Sequence, residues 1–587
     1  MKKWLRERGT GILPVGPMGV PPVGSAADEL ACPDSGQDAR RPHGQDARAT
    51  LVRRFAAMRR WLFSLGITAA VLGAGWLCLP EPPPLMADIS YSTRVVDRDG
   101  RLLRLALSAD DKYRLHTPLA EISPELISAA LLQEDQHFRW HCGINPVAAV
   151  RATFHAALGH GGRGGASTIT MQLARLRYRL HTKSAGGKLV QMWRALEIER
   201  HYTKQQILED YLNVAPYGGN IEGIGAASLL YFNKPPAKLT AEEAVLLSVL
   251  PQSPTRRAPR AGADNAALLS AADRLAARRS ARALAHPSLG HMREFTAPHF
   301  VRRVLASAGP AGEIRTTLDR DLQRMIERRV TSYLDANRAS GLTNAAAMLV
   351  DTDTMEVLAQ IGSANFGDET IAGQVDGTHS RRSPGSTLKP FIYAAAMDQG
   401  RIHPLTMLTD APRRFAGYAP ENFDGDFAGP LKATEALARS RNVPAVELAQ
   451  RLVHPTFYEL LKRGGVALPR EESFYGLALP LGGGEVTMEE LVRLYCALAN
   501  GGRLRPLNRT LPHAPPAGGV RMFSPESAFL TLQMLGQVPR PDLSRLAGDD
   551  GVYWKTGTSM GFRDAWSVAV FDHYVLAVWI GNFDGRR

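Results

Sequence analysis

The chain reads as a multidomain, membrane-anchored protein in which a mostly helical domain precedes an α/β domain. Three observations predict that class. At 587 residues the chain exceeds what one hydrophobic core organises, and its apolar content is ample for several. Residues 61–79 form a nineteen-residue run without a charge, long enough at about 1.5 Å per residue to cross a hydrocarbon layer of about 30 Å. Beyond it, residues 94–260 read as helical stretches broken by polar clusters, whereas paired strand-like runs start only near Ala345.

Residues 1–57 are rich in Gly, Pro and Ala, lack periodicity, and repeat Gly36-Gln37-Asp38-Ala39-Arg40 as Gly44-Gln45-Asp46-Ala47-Arg48. Such a composition cannot bury a core and predicts disorder. Met58, immediately ahead of Arg59 and Arg60, is an alternative start of the protein and opens the anchor, residues 58–80. Arg53, Arg54, Arg59 and Arg60 precede the apolar run and Glu81 follows it, so the positive-inside rule keeps the N-terminus in the cytoplasm. A cleaved signal peptide fits less well, because the run is long for one and no A-x-A site closes it. The expectation is a single-pass protein of the cytoplasmic (inner) membrane, with everything after residue 80 in the extracytoplasmic space or periplasm.

The formal net charge is +13, of which the first sixty residues supply +5 through 11 Lys and Arg against 6 Asp and Glu. This balance suits an anionic partner such as membrane lipid or pyrophosphate, and without a zinc or RNA-binding motif nucleic acid is not expected. Cys32, Cys78, Cys142 and Cys496 are scattered without paired or metal spacing, so no disulfide framework is expected.

Within residues 81–255, a first cluster spans residues 133–143 after an apolar helical stretch and offers Glu134 as a general base. A second runs from the glycine loop at 161–165 into Ala166-Ser167-Thr168-Ile169-Thr170-Met171-Gln172, backbone and hydroxyls that suit a phosphate. No Gly-Lys-Ser/Thr follows, so this is not a Walker loop. Residues 207–213, Gly218, Gly219, Gly223 and Gly225, and Leu250-Pro251-Gln252-Ser253-Pro254 come after. Residues 256–312, rich in Ala and Arg and including Arg256, Arg257, Arg274, Arg278, Arg279 and Arg282, read as a helical linker with a solvated basic face.

In residues 313–587, the runs 345–350 and 356–361 flank Asp351-Thr352-Asp353-Thr354 as a hairpin, and 567–571 with 574–580 close around Asp572-His573. Between the hairpins, Ser386 and Lys389 follow the Pro384-Gly385 break. At i, i+3 on a helix their Cβ atoms lie about 5–6 Å apart, so a neutral lysine can take the serine proton, and the N–H groups of the helix start favour charge on the attacking oxygen. Ser440-Arg441-Asn442 lies downstream, and Lys555-Thr556-Gly557-Thr558 follows the strand-like Val552-Tyr553-Trp554.

The order S-x-x-K, S-x-N, K-T-G is that of penicillin-binding proteins and class A β-lactamases. The segment from about Gly312 onward resembles the transpeptidase domain of a penicillin-binding protein. E-D-x-x-F-x-x-H-x-G at Glu134 and G-A-S-T-I-T-M-Q-L at Gly165, with the later clusters in order, resemble the peptidoglycan glycosyltransferase domain that class A penicillin-binding proteins carry ahead of it. One departure is visible. Where the family commonly shows R-K-x-x-E, this chain has Gly187-Lys188-Leu189-Val190-Gln191, in a register anchored by Tyr202. With the run after it, Gln191 looks most like the 1C subgroup.

The resemblance implies a mostly α-helical, lysozyme-like glycosyltransferase at the membrane face and an α/β transpeptidase with a central antiparallel sheet flanked by helices. Glu134 would activate the 4-hydroxyl of lipid II against the undecaprenyl-pyrophosphate-linked end of a growing strand. Asp135, His141, Ser167, Thr168, Gln172, Lys188 and Gln191 would bind substrate. Ser386 would attack the penultimate D-alanine carbonyl of a stem peptide with Lys389 as base, Ser440 as proton shuttle and Asn442 orienting Lys389. Lys555, Thr556, Gly557 and Thr558 would receive the substrate carboxylate, and the N–H groups of Ser386 and Thr558 would form the oxyanion hole. The implied partners are lipid II, nascent peptidoglycan, membrane lipids, β-lactam inhibitors and other cell-wall synthesis proteins. Transpeptidation would need no cofactor. At the glycosyltransferase site the family pattern allows a divalent cation, Mg or Mn, through the glutamate that Gln191 replaces, so metal dependence stays open. Two other readings exist: a β-lactamase or carboxypeptidase, which leaves the earlier motifs unexplained, and a monofunctional transpeptidase or penicillin-binding scaffold with a silent glycosyltransferase domain. The second draws on Gln191 and on an end at Arg587 soon after the strand through Trp579, where family members normally continue.

Overall fold

The computed structural model describes residues 58–61, 63, 64, 66–68, 84–147, 167–259, 265–279, 296–309, 312–415, 417–514, 518–539 and 551–586. The disorder expected for 1–57, most of the anchor, the glycine loop at 161–166 and the linker positions 280–295 lie outside the described residues. Among those described, no helix is long and apolar enough to cross a membrane. Met1–Pro82 and Pro83–Arg587 are separate units, and the account below concerns the second.

The helical domain contains α1 (Pro124–Glu134), α2 (Ile169–Arg177), α3 (Ala185–His201), α4 (Lys204–Val214), α5 (Ile224–Phe232), α6 (Ala241–Val249) and α7 (Ala266–Arg278). Local chemistry sets the starts. Ser123, Thr168 and Ser184 accept from first-turn N–H groups, and Thr203 with Gln206 and Thr240 with Glu243 close capping boxes. Leu126, Leu173, Tyr211, Ile224 and Leu246 meet in one core. Leu268, Ala271, Ala272 and Leu275 of α7 join it, a stripe at i, i+3, i+4, i+7 that makes α7 a packed helix. The expected linker 256–312 is therefore divided, because Phe300, Val301 and Val304 of α8 (Pro298–Ser307) pack into the other core.

The strands of the two larger sheets are β1 (Arg94–Val96), β2 (Leu102–Leu105), β3 (Glu313–Thr316), β4 (Asn344–Asp351), β5 (Val357–Ile361), β6 (Thr510–Leu511), β7 (Val552–Thr558), β8 (Asp564–Phe571) and β9 (Tyr574–Gly581). The central sheet has the order β7-β8-β9-β4-β5 with every neighbouring pair antiparallel, so both expected hairpins are present. Its alternation sorts residues between two layers. Ala346, Met348 and Val350 of β4 with Val575, Ala577 and Trp579 of β9 enter the large core. The intervening Ala345, Ala347 and Leu349 face Ile326, Val330 and Leu334 of α9 (Arg320–Ala336). On the large-core side lie α10 (Lys389–Asp398), α11 (Asn442–Arg451), α12 (Met488–Ala499) and α13 (Pro525–Leu535), contributing Phe391, Leu448, Tyr495 and Leu535.

A second sheet, in the order β6-β3-β1-β2, joins the domains. β1 runs parallel to β3, pairing Arg94 with Glu313, and antiparallel to β2. Residues 94–105 were expected in the helical domain, yet Val95 and Leu103 belong to the α/β core and only Leu105 to the helical one. Such pairing depends on a partner strand far away in sequence, which no local pattern announces.

Candidate active sites

In the α/β domain a tight turn, Gly385–Leu388, raises Ser386 at the head of α10. Gly385 has φ +52, and a Cβ there would stand 2.5 Å from the Thr558 carbonyl oxygen, while one on Gly557 would stand 2.3 Å from the Pro384 carbonyl oxygen. Only glycine permits this approach of turn and strand. The Tyr495 hydroxyl on α12 donates to the Thr387 carbonyl at 2.7 Å and fixes the turn from below.

Lys389 is fully buried. Its Nζ donates to Asn442 Oδ1 at 2.6 Å and to the Ser440 carbonyl, and lies 3.3 Å from Ser440 Oγ. From the opposite side Lys555 Nζ reaches Ser440 Oγ at 2.8 Å. One hydroxyl thus stands between two buried amines. Burial, and then the neighbouring Lys555 charge, push Lys389 well below the ordinary lysine range, and burial lowers Lys555 to about 7. Ser440 itself is held at φ +57, a strained conformation for a non-glycine residue and one that clusters at functional sites. A cleft of about 810 Å³ opens over Ser386, Ser440, Asn442, Thr556 and Thr558.

The residues expected at this site, Ser386, Lys389, Ser440, Asn442, Lys555, Thr556, Gly557 and Thr558, therefore come together. Sequence reasoning missed the support beneath them. Buried Asp410 accepts from Asn422 Nδ2 at 2.8 Å and from Ala428 N at 2.9 Å, and Asn422 Oδ1 accepts from Asn442 N at 2.8 Å. Asp410 and Asn422 lie in loop-like sequence without a motif, so no local signal marks them.

In the helical domain Glu134 ends α1. Its Oε2 accepts from Gln172 Nε2 of α2 at 2.7 Å, and Oε1 is buried without a hydrogen-bond partner among the described residues. Desolvation raises its pKa, while the Gln172 hydrogen bond, the Arg257 charge, the nearby Gln252 side chain and the Arg175 charge pull it back. Arg257, expected on a solvated face, donates to the Val249 carbonyl and acts electrostatically on Glu134. Its place three residues beyond the end of Leu250-Pro251-Gln252-Ser253-Pro254 was the available clue.

Several of the residues expected to bind substrate are hydrogen-bonded within the protein. Asp135 is buried, accepting from Ile169 N at 3.0 Å and from His141 Nε2 at 2.9 Å. Gly143 N donates to His141 Nδ1 at 3.1 Å, which puts the ring proton on Nε2. Buried Thr168 caps α2 and donates to the Gly143 carbonyl at 2.6 Å. Gln191, 1% exposed, donates through Nε2 to the Met171 carbonyl at 2.6 Å, and its Oε1 accepts from Lys188 Nζ at 2.9 Å. Lys188 also donates to Ser167 Oγ at 2.6 Å. In this structure the polar atoms of Asp135, His141, Thr168 and Gln191 are engaged within the protein.

A divalent cation prefers carboxylate and other oxygen ligands. The Gln191 oxygen faces an ammonium, Glu197 pairs with Arg194, and Glu199 with Lys204 and Thr170. Among the described residues no group of three His, Cys, Asp or Glu could hold a metal. The surroundings of Gln191 do not fit a metal ion.

Comparison with known proteins agrees with this partition. The transglycosylase family matches residues 99–279, and the penicillin binding protein transpeptidase domain matches 345–578. The chain is 36% identical over 518 residues to penicillin-binding protein 1C of Escherichia coli K12, covering 86% of this chain and 66% of that relative. It is 27% identical to penicillin-binding protein 1F of Bacillus subtilis 168, covering 84% and 73%. Penicillin-binding protein 1A from Haemophilus influenzae shares the fold at a TM-score of 0.53 and 18% identity, covering 85% of this chain and 89% of that one. Carrying a transglycosylase domain ahead of a penicillin-binding transpeptidase domain, this chain belongs to the class A penicillin-binding proteins and is similar to their 1C type.

Proposed function

We propose that this protein builds peptidoglycan at two sites: the helical, lysozyme-like domain polymerises lipid II into glycan strands, and the α/β domain cross-links stem peptides through an acyl-enzyme on Ser386. The observation that carries the second activity is the Ser440 hydroxyl between the two buried lysines. A neutral amine has two N–H donors and one lone pair. The Asn442 side chain and the Ser440 carbonyl take the two donors of Lys389, leaving the lone pair for a hydroxyl proton. Ser386 then attacks the donor carbonyl as its proton passes to Lys389. The oxyanion is received by the Ser386 and Thr558 N–H groups, a type of contact worth about 2.7–4 kcal/mol where measured. Ser440 returns the proton to the leaving D-alanine amine, and the amine of a second strand resolves the ester into a 4,3-type cross-link. Lys555, Thr556 and Thr558 hold the donor carboxylate.

In the helical domain Glu134 takes the proton of the acceptor 4-hydroxyl through its free Oε1, and Lys188, Arg175 and Arg257 face the departing diphosphate. Residues 61–79 cross the cytoplasmic membrane once with the N-terminus inside, which places both sites on the outer side where a lipid-linked precursor is presented. The full-length protein tests the reading directly. Labelled penicillin should acylate it and fail to acylate Ser386→Ala, whereas Glu134→Gln should keep the label and lose lipid II polymerisation. Covalent labelling of Ser386→Ala would refute the nucleophile. Intact labelling without wild-type polymerisation would leave a monofunctional transpeptidase.

A further inference from the structure

Lys188 is an ammonium whose side-chain hydrogen bonds, among the described residues, go only to neutral acceptors, Ser167 Oγ and Gln191 Oε1. Gln191 is inaccessible, and its other end donates to the Met171 carbonyl on α2. This pattern needs an amide. A carboxylate at that position would accept from Lys188 but turn its second oxygen against a carbonyl, two buried acceptors with no proton between them. It would also neutralise Lys188 in an ion pair. The amide satisfies both partners, fixes the ammonium in place and leaves its charge uncompensated. Lys188 feels the positive charge of Arg175, which also acts on Glu134, and Met171 adjoins Gln172, the residue that holds Glu134. A half-buried ammonium with neutral partners beside a second cation is arranged to receive an anion.

We propose that Gln191 is a positioning residue that holds Lys188 as a fixed countercharge for the diphosphate of the lipid-linked donor, so that polymerisation by this chain needs no divalent cation. The proposal rests on the polymerase reading above, and it separates from that reading experimentally. Inorganic pyrophosphate binding to the full-length protein is measured in excess chelator, alongside lipid II polymerisation with and without chelator, with penicillin labelling as the control for folding. The expected result is pyrophosphate binding by the wild type in chelator, weakened about tenfold in Gln191→Met, the size of one hydrogen bond lost to a charged group, and further in Lys188→Met. Chelator should leave the wild-type polymerisation rate unchanged. In Gln191→Glu the Lys188 ion pair should weaken pyrophosphate binding, and lowering the pH to protonate the carboxylate should restore it. Pyrophosphate binding that requires added magnesium, or equal binding by wild type and Gln191→Met, would overturn the proposal whatever polymerisation does. Pyrophosphate behaviour as expected with no glycan formed would refute the polymerase reading and leave the anion site standing.

Discussion

In the α/β domain the base is an amine, Lys389, and in the helical domain it is a carboxylate, Glu134. Desolvation is the leading influence on both, and in both it favours the neutral form. For an amine the neutral form is the base, so burial alone prepares Lys389, and the neighbouring Lys555 charge adds to it. For a carboxylate the neutral form is useless as a base, so burial alone would disarm Glu134. Here Gln172, Arg257, Gln252 and Arg175 oppose burial. Cations flank both bases and promote the working form of each, by repelling a second positive charge in one site and stabilising a negative one in the other.

Three experiments would break or sharpen that comparison. The largest effect is expected from Lys389→Ala, which should slow acylation by labelled penicillin by about 10²–10⁴, the usual contribution of general base catalysis, while polymerisation continues. A wild-type acylation rate in that variant would remove Lys389 from the role and end the parallel with Glu134.

An intermediate effect concerns pH. Lys555 is lowered to about 7, and its charged form both repels a proton from Lys389 and receives the substrate carboxylate. The second-order acylation rate, which reports on the free enzyme, should therefore decline as pH rises above about 7 and Lys555 loses its proton. A rate that stays level well into the alkaline range would show that Lys555 is not needed charged.

The smallest effect is expected from Gln172→Met. The Gln172 hydrogen bond stabilises ionised Glu134, so its loss raises that pKa further. Because polymerisation requires ionised Glu134, the acid limb of its pH profile should move upward by about one unit, the equivalent of one hydrogen bond to a charge. An unmoved limb would mean that the cations and Gln252 keep Glu134 ionised without Gln172.

Sequence by itself determined the features that depend on neighbouring residues. Ser386 and Lys389 are three apart after Pro384-Gly385, and the alternation in β4 and β9 follows from the period of a strand. Backbone geometry fixes these distances whatever the rest of the chain does. Tertiary structure alone decided that Lys555 meets Lys389 across Ser440, that Asp410 and Asn422 brace Asn442, and that residues 94–105 pair with β3. It also turned Gln191 inward, onto Met171 and Lys188. The physical reason is that desolvation, and contacts between segments distant in sequence, exist only after packing. The residue types of both bases, and the need for a neutral Lys389, are therefore legible in the sequence, while the burial that moves each pKa is not.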